Sequence, residues 1–217
     1  MAKRWPFLFT ALLLLFFTAG LEAKKPKQQP APPASTADYF PLRVGDSWNY
    51  RNTTGDAEYS LKILSEEPQP DGSIRYTMEK LAGVRILDFF SKTPGWVLLH
   101  WENYPEHEGL QAKYDPAKQY LQNPLKAGFQ WTTISKDPTQ TEVTEKNKVV
   151  GFETVMVPAG KFRAMKVVSE VSGGVAHMIK TYWYADGVGL VKTTTDGGKL
   201  KYGFELIDYS FKKKDGK

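Results

Sequence analysis

Apolar and polar residues alternate one for one through much of this chain. Ala57, Tyr59, Leu61 and Ile63 interleave with Glu58, Ser60 and Lys62; Ile74, Tyr76 and Met78 with Arg75, Thr77 and Glu79; Leu200, Tyr202, Phe204 and Leu206 with Lys199, Lys201 and Glu205. Successive side chains of an extended strand point to opposite faces, so each run predicts a strand with one apolar and one wet face. After Leu206 the apolar positions move to Ile207, Tyr209 and Phe211, a change of phase that predicts a bulge or bend. Asp71-Gly72, Pro94-Gly95, Gly173-Gly174 and Asp196-Gly197-Gly198 fall between runs and supply the positive φ that tight hairpins need.

The spacing accommodates about eleven or twelve short strands. Only Asp115–Leu121 reads as helical, with Asp115 as cap and Pro116 in the first turn. The expected fold is therefore all-β or nearly so: a single curved antiparallel sheet, half-barrel or open barrel, with at most one or two short helices. Trp96-Val97-Leu98-Leu99-His100-Trp101 is apolar on both faces, which suits either a central strand covered on both sides or one lining a cavity. Arg85–Phe90 is similar but interrupted.

A short motif occurs twice. Pro41-Leu42-Arg43-Val44-Gly45-Asp46-Ser47-Trp48 matches Pro124-Leu125-Lys126-Ala127-Gly128-Phe129-Gln130-Trp131 in proline, leucine, base, glycine and tryptophan at identical spacing. In each, the glycine permits a tight turn and the tryptophan is the first large side chain of the next strand. The echo marks either two similar half-sheets or one way of starting a strand, reached twice.

The ends differ from the body. Lys3 and Arg4 precede an uncharged apolar run of 13 residues, Trp5 to Phe17, shorter than the roughly 20 a spanning helix needs. Small residues follow, the layout of a secretory signal peptide over 1–23. Residues 24–37 form a linker of proline, lysine and glutamine, with no large apolar residue to offset ordering entropy. The antiparallel domain is expected over 38–211 and a basic tail over 212–217.

The charge follows the same division. Of 29 basic and 24 acidic residues, nine bases and two acids lie before Asp38 or after Phe211, so the body holds 20 bases against 22 acids. A nucleic-acid binder concentrates basic charge on its folded face, so nucleic acid is not an expected partner. The basic ends would make at most a weak contact with an anionic membrane surface.

Candidate chemistry is sparse. The chain contains no cysteine, which removes disulfides, thiolate metal sites, a cysteine nucleophile and a lipid anchor on cysteine. His100, His107 and His177 lie in three different segments. Glu106-His107-Glu108 sits between Pro105 and Gly109 and reads as a solvated loop, because three consecutive side chains point in different directions. There is no G-x-S-x-G elbow, and Gly187-Val188-Gly189 lacks the third glycine and following helix of a phosphate cradle. No cofactor, metal site or catalytic set is expected. The remaining signal is aromatic: Trp48, Trp96, Trp101, Trp131 and Trp183 with eleven tyrosines, side chains suited to a core and equally to an apolar pocket with a polar rim.

Three stretches carry a resemblance: Tyr39-Phe40-Pro41-Leu42-x-x-Gly45-x-x-Trp48-x-Tyr50, Val157-Pro158-Ala159-Gly160-x-Phe162, and Trp183-Tyr184-Ala185-x-Gly187-Val188-Gly189-Leu190-Val191-Lys192. With these the chain resembles a group of bacterial secreted proteins and lipoproteins without an assigned activity. More distantly it is similar to periplasmic half-barrels of the kind that carry outer-membrane lipoproteins. Many members of the group have a lipid-anchor cysteine, and this chain departs from them in having none. The resemblance implies a Gram-negative envelope, periplasmic or secreted, and transfers no residue roles.

The resulting expectation is a non-enzymatic envelope protein that binds an apolar or amphipathic ligand, lipid-like or lipoprotein-like, on the concave face of its sheet. Phe89, Trp96, Leu98, Trp101 and Trp183 are the expected contacts. The alternatives are a structural or interaction module of the envelope and, behind it, a hydrolase using His100 or His107.

Overall fold

The computed structural model describes residues 37–174 and 176–211. The signal peptide, all but the last residue of the linker, and the basic tail lie outside the described residues. Twelve strands follow one another: β1 (Ser47–Asn52), β2 (Glu58–Pro68), β3 (Ile74–Leu81), β4 (Arg85–Thr93), β5 (Gly95–Asn103), β6 (Gln111–Asn123), β7 (Gln130–Lys136), β8 (Glu142–Val157), β9 (Gly160–Gly173), β10 (Ala176–Ala185), β11 (Gly189–Gly197) and β12 (Leu200–Ser210). No helix occurs among the described residues.

All twelve strands belong to one antiparallel sheet in the order β6-β5-β4-β3-β2-β1-β12-β11-β10-β9-β8-β7. The chain thus makes two six-stranded meanders, joined where β1 pairs with β12 from Ser47↔Ser210 to Asn52↔Phe204. The ladder's two ends, β6 and β7, come round to face each other without backbone pairing. The sheet is nearly closed into a barrel, with a single unsealed seam. Right-handed strand twist starts this curl, and bulges sharpen it. One is the predicted phase change: Asn49 pairs with Asp208 and Tyr50 with Leu206, leaving Ile207 as the extra residue.

The expected helix over 115–121 is not formed. Lys118, Gln119 and Leu121 pair with Leu99, Leu98 and Val97 of β5, while Tyr114–Ala117 form an irregular stretch between the rungs at Lys113 and Lys118. A helix of seven residues is marginal by itself, and the open edge of β5 offers the same backbone groups a ladder.

The duplicated motif is a duplicated structure. Gly45 and Gly128 adopt φ of 92° and 83°, and their amides donate to Ile63 O and Val149 O, both at 2.8 Å. Asp46 N donates to Arg43 O and Phe129 N to Lys126 O; Ile63 N returns to Asp46 O and Val149 N to Phe129 O. Leu42 and Leu125 are buried alike, as are Trp48 and Trp131. Each copy opens one six-stranded half, β1 to β6 and β7 to β12.

The segment 37–42, which leads into the N-terminal copy, closes one end of the barrel. The Asp38 carboxylate takes both contacts from Lys92 Nζ at 2.8 Å and one from Asn123 Nδ2 at 2.8 Å. Its backbone ties to the β10–β11 turn, through Asp38 N to Asp186 Oδ1 and Gly187 N to Asp38 O, both 2.8 Å. Burial raises the Asp38 pKa, but the Lys92 ammonium and the other donors outweigh it and hold the carboxyl below its usual value. This latch seats Phe40 edge-on against Phe90 and Tyr120, with centroids 5.1 and 5.5 Å apart. Phe40→Ala removes the ring packed on Phe90 and Tyr120 and is expected to cost ~3–5 kcal/mol, read as a lower urea midpoint with unchanged slope; a variant as stable as wild type would show that 37–42 is not part of the core.

Candidate ligand-binding lumen

The inward side chains do not fill the barrel. They leave a cavity of about 540 Å³ to which strands β2 to β12 all contribute. Phe40, Phe90, Leu99, Leu121, Trp131 and Val167 form an apolar floor toward the plugged end, and Tyr59, Tyr120, Tyr182, Tyr184 and Tyr202 add aromatic walls. Lys80, Asp88, Glu102, Lys118, Glu145 and Lys180 also line it. Glu102, Lys118, Glu145 and Lys180 continue into a space of about 330 Å³ that reaches Asp137 and Thr141 in the β7–β8 loop, at the unplugged end. Another hollow, about 590 Å³, follows the seam between Ala112–Gln119 and Thr132–Lys136 and shares Lys118 with both.

The seam is bridged by side chains. Lys118 Nζ reaches Glu145 Oε1 at 3.0 Å, and Trp131 Nε1 donates to Gln119 O at 3.2 Å. Across β5 and β6, Tyr114 Oη donates to Glu102. Burial, and then the Glu102 charge, push the Tyr114 phenol well above its usual pKa. Asp88 stands beside Glu102 as its cross-strand partner. Burial first and the Glu102 charge second raise the Asp88 carboxyl to about 7, partly opposed by Lys80. Burial likewise raises the phenols of Tyr59, Tyr120, Tyr182 and Tyr184, so all four are neutral hydrogen-bonding groups at physiological pH.

None of the five residues expected from the sequence lines this lumen. Phe89 and Trp101 do meet, stacked with centroids 4.5 Å apart and planes 15° from parallel, but in the outward phase of β4 and β5. Lys113 lies over Trp101 at 5.2 Å, and the buried Trp101 Nε1 has no hydrogen-bond partner among the described residues. Leu98 sits between the inward Val97 and Leu99 and shares the outward phase. Trp96 packs on Phe129 and Trp131, with centroids at 5.9 and 5.8 Å, bracing the plugged end of the seam. Trp183 alternates with the lumen residues Tyr182 and Tyr184; its indole donates to Glu153 Oε2 at 2.8 Å, and Lys166 and Lys192 flank its ring.

The histidines are outside the lumen too. His100 Nε2 meets Ser91 Oγ at 2.8 Å, but Ser91 is only 3% exposed and follows the inward Phe90 on β4. Burial, and then Arg75, lower the His100 pKa. His107 is exposed in the β5–β6 loop.

Sequence reasoning missed the polar lumen residues, although a signal existed. Lys80 continues the apolar phase of Tyr76 and Met78, and Asp88 falls between Ile86 and Phe90 in the same phase. A charge on the apolar face of an alternating strand marks either a buried pair or a polar cavity.

A family model described as DUF3108-like matches residues 102–201, from the end of β5 into β12. The fold is similar to that of a candidate exported protein with a YmcC-like fold from Bacteroides fragilis: TM-score 0.54, 15% identity, 81% of this chain and 100% of the other covered. It is also similar to a candidate lipoprotein from Parabacteroides distasonis, with TM-score 0.50, 15% identity, and coverage of 80% and 99%. No match is found among curated proteins.

The raised Asp88 carboxyl has a signed consequence. Between the usual value of 3.8 and about 7 the folded chain holds a proton that the unfolded chain has lost, so Asp88 makes stability fall as pH rises through that window. Asp88→Asn removes this slope and is expected to raise the melting temperature by ~2–4 °C at mildly alkaline pH relative to wild type. Parallel wild-type and variant melting curves across the window would overturn the assignment.

Proposed function

We propose that this chain is an exported binding protein of the bacterial envelope that holds an apolar or amphipathic small molecule inside its barrel. The observation that carries this reading is the lumen: about 540 Å³, apolar and aromatic at the plugged end, charged toward the unplugged one. Ligand pockets commonly enclose ~300–1,000 Å³ with mostly apolar walls and a few placed polar groups. A filled core would have removed the space, since interiors otherwise pack to crystal-like density. The likeness to exported and lipoprotein-type folds supports an envelope location.

The reading assigns no chemistry to the lumen. Ser91 and His100 share the outward phase of their strands, and among the described residues no carboxylate hydrogen-bonds to His100. An envelope interaction module is the second reading, favoured by one observation: the facing edges of β6 and β7 carry unpaired backbone groups that another strand would satisfy.

The test is fluorescence titration with a naphthylamine dye that brightens in apolar surroundings. Saturable binding is expected, and Thr193→Trp, which places an indole among the lumen residues, is expected to weaken it about tenfold, or ~1.4 kcal/mol. A dye that binds Thr193→Trp and wild type equally, with both folded by circular dichroism, would place the dye elsewhere and remove the reading.

A further inference from the structure

We propose that the wall formed by β4 and β5 is an ammonium-recognition subsite built by Asp88 and Glu102, so that the amphiphile the lumen takes carries an amine. This rests on the lumen being a binding site. Asp88 and Glu102 are directly opposed across the β4–β5 ladder and both face the cavity. Opposed side chains in such a pair start ~4.5–5.5 Å apart. Glu102 receives the Tyr114 hydroxyl, but Asp88 Oδ1 is buried and receives no hydrogen bond from the described residues.

The cations in the lumen do not meet this need. Lys80, on β3 beside β4, acts on Asp88 through its charge but makes no ion pair with it, and its ammonium lies over the Tyr59 ring at 5.6 Å. Lys118 is taken by Glu145. Lys180 is on β10, across the barrel from β4, where it faces the lumen without an ion-pair partner among the described residues.

The chemistry of the occupant follows by elimination. A buried acceptor without a donor costs free energy until one is supplied. A hydroxyl would serve Oδ1 but leave the repulsion between the opposed Asp88 and Glu102 carboxyls unrelieved, and an anion would add to it. A bare calcium ion takes about six to eight oxygens, and no group of three His, Asp or Glu side chains is placed to hold a metal among the described residues. An alkylammonium supplies both the donors and the charge. The phenols of Tyr114 and Tyr120, within electrostatic reach of Asp88, furnish the aromatic faces that cations favour.

The test displaces the bound dye from the purified full chain at neutral pH with dodecylamine, dodecanol and dodecanoate, which share one tail. Dodecylamine is expected to compete about tenfold more tightly than dodecanol, and the variant combining Asp88→Asn with Glu102→Gln to bring the amine down to the alcohol's level. Equal competition by all three on wild type, or dodecanoate competing best, overturns the amine subsite while leaving the lumen reading intact. Competition by none of the three, with the dye bound, removes the lumen reading and the subsite with it.

Discussion

The pairing of β1 with β12 is the contact on which the rest of the molecule depends. Each meander alone is an open six-stranded sheet with two exposed edges and one uncovered apolar face. Joined through six residues of β1, the two become a ladder long enough to bring its ends together and to enclose a space. Side chains reinforce this junction: Trp48 Nε1 donates to Val188 O at 2.7 Å and Tyr50 Oη to Leu190 O at 2.8 Å, lashing β1 to β11 and the turn before it. Tyr50, Leu206 and Val191 are sealed from solvent there. The bulge at Ile207 lets Leu206 and Asp208 both keep rungs while the strand bends.

Why one junction seals and the other does not follows from the repeated turn. β12 is free to run beside β1 as far as Ser210. β6 stops at Asn123, because the next residues, Pro124 to Gly128, make the turn that opens the second half. The chain that would continue along β7 is already used. Side chains bridge the gap instead, Trp131 near the plugged end and the Lys118–Glu145 ion pair farther along.

The interior combines a sealed apolar layer with inward-facing charges. Ile63, Val97, Val149, Val167, Val191 and Leu206 are almost completely buried and give the barrel its apolar support. Asp88, Glu102, Lys80 and Lys180 face inward at a cost that a structural core would avoid. Such residues on strands that otherwise alternate cleanly are the feature that separates this barrel from one packed solid.

The strands, turns, bulge and near-absence of helix were legible in the sequence because each rests on neighbours within a few residues: period two, glycine at positive φ, a phase shift after Leu206. The repeated Pro-Leu-x-x-Gly-x-x-Trp motif even marked where the halves begin. Asp115–Leu121 misled, since local helix signals in seven residues are weaker than an adjacent strand edge. The choice of face was the other thing local pattern left open. Trp96–Trp101 and Arg85–Phe90 are apolar in both phases, so their alternation does not say which phase turns inward, and the aromatic residues drew attention to the outer one. Only the closing of the ladder decided that Asp88 and Glu102 face the lumen while Phe89 and Trp101 stack outside it, because inside and outside exist only once distant strands have met.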